Sequence, residues 1–313
     1  MKIFLFIVVA CISSGCGKER LEVVWERQES HTAYDLHAVC FVDGQRGIAV
    51  GGDSWYSGVS LSTGDGGKTW LADTLGNKQL FALDLDEQGE AVAAGIDGNV
   101  FSRKEQDTGW SAYRFPVWEI YRCVAHGEQA TLLVGGQAYK AGLIVRLDEQ
   151  FEIDTVIHYD VELDAVCWVD EQKAIAAGYG LVLRSEDGGR TWATLPIDGD
   201  HFRAIHFPSE SVGYIVGYAG TILKTRDGGS TWEKLRNGGG VWESNIPFRD
   251  VFFSDEETGY LAGEKGIVWK TVDGGENWIV LDGLPEENYL GVYAVGSDGW
   301  LVGEQGVVIH FRD

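Results

Sequence analysis

Positive charge is scarce in this sequence. Its 313 residues include 25 Lys and Arg against 48 Asp and Glu, which gives a formal net charge of −23. Phosphate backbones and anionic bilayers are bound mainly through cationic patches, so we expect no nucleic-acid partner and no direct electrostatic attachment to a membrane. The acidic residues are spread along the chain, which indicates a solvated shell rather than an acidic tail.

Cysteine is also sparse, and its five copies form no Cys-x-x-Cys pair. Thiolate metal sites usually carry such a pair, so the sequence gives no motif for one, and we predict neither a metal nor a cofactor. Cys40, Cys123 and Cys167 each lie within an apolar segment. We interpret these three as buried free thiols, because unpaired cysteine behaves as a small hydrophobic residue.

Long hydrophobic runs are limited to the N-terminus. Lys2 precedes an apolar run over Ile3–Ile12, which is too short to span a bilayer as a helix and is typical of a signal peptide. The run ends in Ser13-Ser14-Gly15-Cys16, which resembles the lipobox of bacterial lipoproteins. The resemblance implies that residues 1–15 are removed and that Cys16 carries the lipid. The alternative is an ordinary secretory signal cleaved nearby.

A short apolar run that ends in glycine recurs along the rest of the chain. The equivalent glycines are spaced 39 to 46 residues apart: Gly51, Gly95, Gly135, Gly178, Gly217, Gly263 and Gly303. Alternating segments such as LHAVCF from Leu36 precede each run, and further strand signals follow it. Seven copies of a four-strand unit at this period predict an all-β fold, a seven-bladed β-propeller that forms a single domain over residues 16–313.

The most specific motif lies between the third and fourth strand of four repeats. It reads Thr/Ser-x-Asp-x-Gly-x-Thr/Asn-Trp, the Asp-box or BNR repeat, around Asp65, Asp187, Asp227 and Asp273. An Asp side chain can accept N–H groups of a tight turn, and glycine adopts the positive φ that such turns need. We therefore interpret these carboxylates as structural, rather than as a calcium or active site.

The last repeat stops at its third strand, Val307–Phe311. Val23-Val24-Trp25-Glu26 resembles the strands that follow the Asp-boxes, so the N-terminal strand is predicted to close the last blade. Such pairing leaves no open sheet edge.

Two of the repeats resemble a known family. The segments GYIVGYAGTILKTRDGGSTW and GYLAGEKGIVWKTVDGGENW are similar to those of the photosystem II stability/assembly factor family. The resemblance covers about residues 36–313 and is strongest in blades four to six. The resemblance implies a seven-bladed propeller and a non-enzymatic assembly scaffold that recognises a protein or peptide. Combined with the lipobox, it places the protein in the bacterial cell envelope, facing the periplasm or the cell surface and touching the membrane only through its lipid.

A carbohydrate-active protein is the alternative, because sialidases and other glycosidases share the Asp-box. No Arg-Ile-Pro motif of the sialidase type occurs. Glycosidases otherwise use two carboxylates at a set separation, and Asp164 and Asp250 are the candidates, although they occupy adjacent rather than identical strand positions. A glycan therefore stays open as a partner beside an envelope protein or peptide.

The second residue of each first strand should lie near the mouth of the central channel. In chain order these residues are His37, Phe81, Tyr121, Asp164, Arg203, Arg249 and Leu290. The predicted ligand site comprises the polar and aromatic members together with Arg122: His37, Tyr121, Arg122, Asp164, Arg203 and Arg249. Neighbouring arginines in an acidic protein could bind a carboxylate or another anion. Alternatively, they pair with Asp164, Asp250 or main-chain carbonyls and seal the channel.

Loops on the same face are rich in aromatic residues. Exposed aromatic side chains with polar atoms suit peptide or carbohydrate surfaces, and we predict a rim formed by Trp55, Tyr56, Trp118, Tyr139 and Trp242. His31, Tyr34, His201 and Tyr289 belong to the same set of loop aromatics.

Overall fold

The computed structural model describes residues 19–86, 88–107, 109–116, 119–137, 139–197, 199–240 and 245–313. The predicted lipid site Cys16 and two of the predicted rim residues, Trp118 and Trp242, lie outside these ranges. Across the described ranges, no helix has the length and apolar character needed to cross a membrane.

The described residues form 29 strands in seven sheets arranged as the blades of a propeller. Blades one to three contain β3 to β14: Asp35–Phe41, Gly47–Asp53, Ser57–Thr63, Leu71–Thr74; Leu80–Leu85, Ala91–Gly95, Asn99–Arg103, Ser111–Arg114; Tyr121–His126, Thr131–Gln137, Ala141–Leu147, Ile153–Tyr159. Blades four and five contain β15 to β22: Leu163–Trp168, Ala174–Gly178, Leu181–Ser185, Ala193–Thr194; Phe202–His206, Gly213–Gly217, Ile222–Thr225, Glu233–Arg236.

Blades six and seven also take in the N-terminal strands β1 (Arg20–Glu22) and β2 (Val24–Arg27). Their other strands, β23 to β29, are Phe248–Phe253, Gly259–Gly263, Val268–Thr271, Ile279–Asp282; Tyr289–Val295, Asp298–Gly303, Val308–Arg312. Two short 3-10 turns, Ile96–Gly98 and Glu304–Gly306, connect second to third strands. The seven-bladed prediction is confirmed.

The N-terminal segment belongs to two blades. β2 pairs antiparallel with β29, so it supplies the missing fourth strand of blade seven as predicted. β1 pairs parallel with β26 and adds a fifth strand to blade six, which the sequence did not predict. Val23, between the two strands, is buried in the cluster of apolar side chains that joins these blades.

Every first strand contains a β-bulge near its start. In blades two to seven the register with the second strand shifts between the first and third residue of the first strand, as between Leu163 and Ala165, and in blade one it shifts between Leu36 and Ala38, the second and fourth residues of β3. A bulge adds one residue to one strand and redirects its side chain. The seven bulged residues therefore form a set at one end of the channel, which we call the mouth ring: His37, Phe81, Arg122, Asp164, Arg203, Arg249 and Leu290.

The recurring glycines are explained by these bulges. Each repeat glycine pairs with the residue directly before the bulge of its first strand, as Gly178 pairs with Leu163. A Cβ on Gly178 would lie 2.1 Å from the carbonyl oxygen of Glu162, and the equivalent glycines of the other blades meet similarly close atoms. The same carbonyl accepts the N–H of Tyr179 at 3.0 Å. Glycine is needed here because the bulged main chain leaves no room for a side chain.

The hydrophobic core lies between consecutive blades rather than inside one blade. Phe41 of blade one stacks on Trp300 of blade seven with ring centroids 3.8 Å apart, and Tyr214 stacks on Phe253 of the next blade at 3.6 Å. Large aromatic side chains contribute most of such interfaces because each buries a large area. These contacts hold the ring of blades together.

The four Asp-boxes form the turns expected of them. In the second of the four Asp-boxes, the carboxylate of Asp187 accepts hydrogen bonds from the Thr191 N–H at 2.9 Å and the Thr191 hydroxyl at 2.6 Å. Gly189 has φ 80° and donates its N–H to the Ser185 hydroxyl. The other three copies repeat this pattern, and the hydrogen bonds hold the pKa of each carboxyl below its usual range. The carboxylates at Asp65, Asp187, Asp227 and Asp273 are thus engaged in turn structure.

The three described cysteines are free thiols, as predicted. They line the channel and bond to neighbouring main chain; the Cys123 thiol, for example, donates to the Val166 carbonyl of the next blade at 3.5 Å. Burial raises the pKa of Cys123 and Cys167 to about 12, so these thiols stay protonated.

Candidate functional site

A channel of about 640 Å³ passes along the ring axis and is lined by the first strands of all seven blades. The mouth ring lies at the end that also carries the loops between second and third strands, and the Asp-boxes lie at the opposite end. Three of its seven side chains are arginines, contributed by blades three, five and six. We call this end the mouth face.

One predicted site residue does not reach the channel. Tyr121 was placed at the second position of blade three, but it pairs with Gly135 and is therefore the first residue of its strand. Its side chain is fully buried between blades two and three, among residues such as Val124 and Leu133. Arg122 occupies the bulge instead, so the predicted position of Tyr121 was wrong by one residue.

Arg122 is held by a buried carboxylate. Its Nε donates to Glu162 Oε1 at 3.0 Å, while Glu162 Oε2 accepts the N–H of Tyr139 at 3.2 Å. Glu162 is almost fully buried, and both of its oxygens are used. The Arg122 guanidinium also packs over the Phe81 ring, with its carbon 4.8 Å from the ring centroid. Arg122 is therefore firmly positioned at the mouth.

Asp164 joins two cationic or polar groups of the next blade. Its Oδ1 accepts Nη1 of Arg203 at 2.8 Å and its Oδ2 contacts Nε2 of His201 at 2.6 Å. Burial alone would raise the pKa of Asp164, but the His201 hydrogen bond and the Arg203 charge outweigh it and hold that pKa below its usual range. Burial lowers the pKa of Arg203. The predicted pairing of Arg203 with Asp164 is confirmed.

Arg249 pairs with Glu264 and not with Asp250. Its Nε donates to Glu264 Oε1 at 3.0 Å, and Nη2 contacts the same oxygen. The guanidinium carbon lies 4.9 Å from the centroid of the Tyr218 ring. The alternative that the arginines pair with Asp164, Asp250 or main-chain carbonyls is thus correct for Arg203, whereas Arg122 and Arg249 pair with two loop carboxylates that it did not name, Glu162 and Glu264.

Three exposed tyrosines surround these arginines, and we call Tyr139, Tyr179 and Tyr218 the mouth tyrosines. Their exposed fractions are 56%, 50% and 41%. Tyr139, Tyr179 and His201 contact one another with ring centroids 5.4 to 5.5 Å apart. Tyr139 also has φ 63°, a conformation that is costly for a residue with a side chain and that often marks functional loops.

Two of the mouth tyrosines were missed from the sequence. Tyr179 and Tyr218 each follow the repeat glycine of their blade directly, at Gly178 and Gly217. That position carries the loop between the second and third strand on the mouth face. Comparing the residue after each repeat glycine would have identified both.

His37 is the histidine of the mouth ring, and its pKa is lowered there. Burial and the charges of Arg122, Arg249 and Arg203 lower the pKa of His37 to about 3. Its Nε2 lies 2.7 Å from the side-chain nitrogen of Gln79. His37 is therefore neutral at physiological pH, because it is buried and lies near three arginines of a chain whose net charge is −23.

The other predicted rim residues lie apart from this cluster. Trp55 and Tyr56 are 68% and 79% exposed on the corresponding loop of blade one, where the Lys78 ammonium lies 4.8 Å from the Trp55 ring. Tyr289 is fully buried and donates its hydroxyl to the Pro285 carbonyl, so its expected place on a loop was wrong. The structure brings Tyr139 to the arginines but leaves Trp55 and Tyr56 on another blade.

The carboxylates considered for glycoside chemistry have structural environments. Asp250 lies inside the channel, where its two oxygens accept the N–H groups of Val251 and Val292. Burial raises the pKa of Asp250 to about 6. Asp164 is occupied by His201 and Arg203. Both oxygens of each carboxylate already accept hydrogen bonds from the protein. This geometry therefore gives no support to a pair of catalytic carboxylates of the glycosidase type.

Comparisons with known proteins agree with the architecture. The family model described as "Photosynthesis system II assembly factor YCF48" matches residues 193–279 and 241–313. No curated protein sequence matches the chain. The resemblance inferred from the repeats is confirmed over residues 193–313, the part of the chain that the family model matches.

Several solved structures share the fold. "YCF48 bound to D1 peptide" is 15% identical with a TM-score of 0.69, covering 95% of this chain and 98% of that one. "YCF48 from Cyanidioschyzon merolae" is 17% identical with a TM-score of 0.67, covering 92% and 98%. The structure of U3-55K is 8% identical with a TM-score of 0.72, covering 95% and 100%. At these identities the likeness establishes the propeller fold.

Proposed function

The chain is similar to the photosystem II assembly factor family over residues 193–313, and on this premise we propose that it is a non-enzymatic scaffold that binds an acidic peptide segment of a protein partner across the mouth face. One observation carries the proposal: three arginines and three exposed tyrosines meet at the mouth of an otherwise acidic protein. A related fold has been solved with a peptide, "YCF48 bound to D1 peptide".

The chemistry of the mouth suits a peptide with carboxylate side chains. Arg122, Arg203 and Arg249 each have N–H groups beyond those used by their internal partners, because a guanidinium carries five. Charge-assisted bonds from arginine to carboxylate are strong and directional. The mouth tyrosines supply rigid contact area with a polar hydroxyl, which is typical of binding hot spots.

A peptide array tests this proposal. Immobilised decapeptides of acidic, neutral and basic composition are probed with the full chain at low and moderate salt. We expect binding to acidic decapeptides that weakens as salt rises, because the attraction is partly electrostatic. Equal binding to all compositions, or preference for basic peptides through the acidic surface, would contradict the proposal.

We propose further that the protein is held in the bacterial cell envelope by a lipid on Cys16. Only three residues separate Cys16 from Arg20, the first residue of β1, so the anchor would hold blade six within about 14 Å of the bilayer. Expression in a bacterium with a radiolabelled fatty acid should label the wild-type protein and leave Cys16→Ser unlabelled. A labelled Cys16→Ser variant would show that the lipid is attached elsewhere, and an unlabelled wild-type protein cleaved at another position would favour the secretory alternative.

A further inference from the structure

Glu264 occupies the place at which a ligand carboxylate would meet Arg249. It lies on the loop between β24 and β25, and its Oε1 accepts Nε of Arg249 at 3.0 Å together with Nη2. Arg249 belongs to the mouth ring and lines the channel. An acidic side chain of the protein itself therefore fills this anion-binding position in the structure.

Glu264 is held less firmly than the other two internal partners. Glu162 and Asp164 are nearly fully buried, and each uses both carboxylate oxygens. Glu264 bonds through one oxygen, and 18% of its side chain is exposed. Removing a buried carboxylate from its arginine would leave an unpaired charge, whereas the exposed loop lets Glu264 be rehydrated after a small movement.

Arg249 has a second contact that does not involve Glu264. Its guanidinium lies against the Tyr218 ring at 4.9 Å, and arginine stacks well on aromatic faces. The guanidinium would thus remain presented to the mouth when Glu264 moves away. This arrangement is what an exchange of one carboxylate for another requires.

We propose that Glu264 is a built-in competitor that sets the affinity and specificity of the mouth. It neutralises Arg249 when the mouth is empty, and a carboxylate of the acidic peptide displaces it. A neutral peptide cannot compensate Arg249 for the loss of Glu264, so the exchange selects acidic segments. This inference rests on the proposed peptide-binding function.

Glu264→Gln tests the exchange in the full chain, with the acidic and neutral decapeptides of the array measured individually by fluorescence polarisation. Glutamine keeps the shape of the side chain but loses its charge. We expect acidic decapeptides to bind about two- to fivefold more tightly, the range that follows from removing one partly exposed ion pair. Neutral decapeptides should bind as before. Glu233→Gln is the matched control, because it removes the same charge from an exposed pair with Arg226 away from the mouth.

The outcomes separate the exchange from the function on which it rests. If Glu264→Gln binds acidic decapeptides no better than wild type while Arg249→Ala weakens binding, the exchange is overturned and the peptide site remains. Weaker binding by Glu264→Gln would show that Glu264 positions Arg249, which also overturns it. If wild type binds no acidic decapeptide, both proposals fail. Glu264→Ala, with thermal unfolding of each variant, shows whether a change in binding reflects altered folding.

Discussion

Replacing Gly178 with alanine should lower the free energy of unfolding by about 3 kcal/mol, the upper part of the range for forcing atoms into a packed interior. The new Cβ would lie 2.1 Å from the Glu162 carbonyl oxygen and 2.6 Å from the Leu163 Cα. Both neighbours are main chain, so no side-chain rotation relieves the clash. The bulge would have to open, and Asp164 and Arg203 would lose their alignment. Denaturant unfolding followed by tryptophan fluorescence measures the change.

Gly44→Ala is the matched control for this substitution. Gly44 lies in the turn between β3 and β4, and no atom lies within 4 Å of an added Cβ. Its φ is outside the left-handed region, so alanine is expected to change the unfolding free energy by less than about 0.5 kcal/mol. If the Gly178 and Gly44 variants were equally stable, the repeat glycines could not be required by the bulges.

Replacing Arg203 with methionine should be comparably severe, with a loss of about 3–5 kcal/mol, because it leaves the buried Asp164 carboxylate without its cationic partner. Adding Asp164→Asn should restore most of the stability, since asparagine carries no charge and still reaches His201. Wild type, the two single variants and the double variant form a double-mutant cycle, which gives the coupling free energy between Arg203 and Asp164. Arg226→Met, which breaks exposed pairs with Glu233 and Glu276, should cost at most about 1 kcal/mol.

The pH dependence of this cycle has a definite sign. The pKa of Asp164 is held below its usual range in the folded protein, so the carboxylate contributes stability above its unfolded pKa of about 3.9. That contribution is lost as the pH falls through the lowered pKa. The stability gap between wild type and Arg203→Met should therefore be largest near neutral pH and shrink in acid. A gap that does not vary with pH would mean that lost packing, rather than the charge of Asp164, causes the instability.

The blade count and the closure of the ring could be predicted from the sequence because each depends on a local repeated pattern. The seven glycines mark the same bulge in every blade, and the resemblance of Val24-Trp25-Glu26 to the strands after the Asp-boxes identified β2. β1 could not be found in this way. Its three residues are too few to give a strand signal, and its pairing partner is the edge strand of blade six, far away in the sequence.

The site was harder to predict because the repeat pattern does not show which side chains pair with one another. Ile120-Tyr121-Arg122 can be aligned with the other first strands in two ways, and only the pairing of Tyr121 with Gly135 decides between them. Glu264 directly follows the repeat glycine Gly263 and Glu162 directly precedes β15, so both can be placed on the mouth face, but their positions in the repeat do not show that they pair with Arg249 and Arg122. Nothing in the periodicity distinguishes an arginine that is already paired from one that is free.

The parallel pairing of β1 with β26 has a mechanical consequence. A pull on the chain N-terminal to Arg20 acts along β1, in line with the strand, and therefore loads its hydrogen bonds with β26 in shear. Bonds loaded in shear share the tension and must break together, whereas a strand peeled from its end loses them one at a time. Leu21 adds a packing contact to these hydrogen bonds, because its side chain lies against the apolar cluster between blades six and seven. The segment that seals the ring is thus placed to keep tension on the N-terminus from reaching the mouth face.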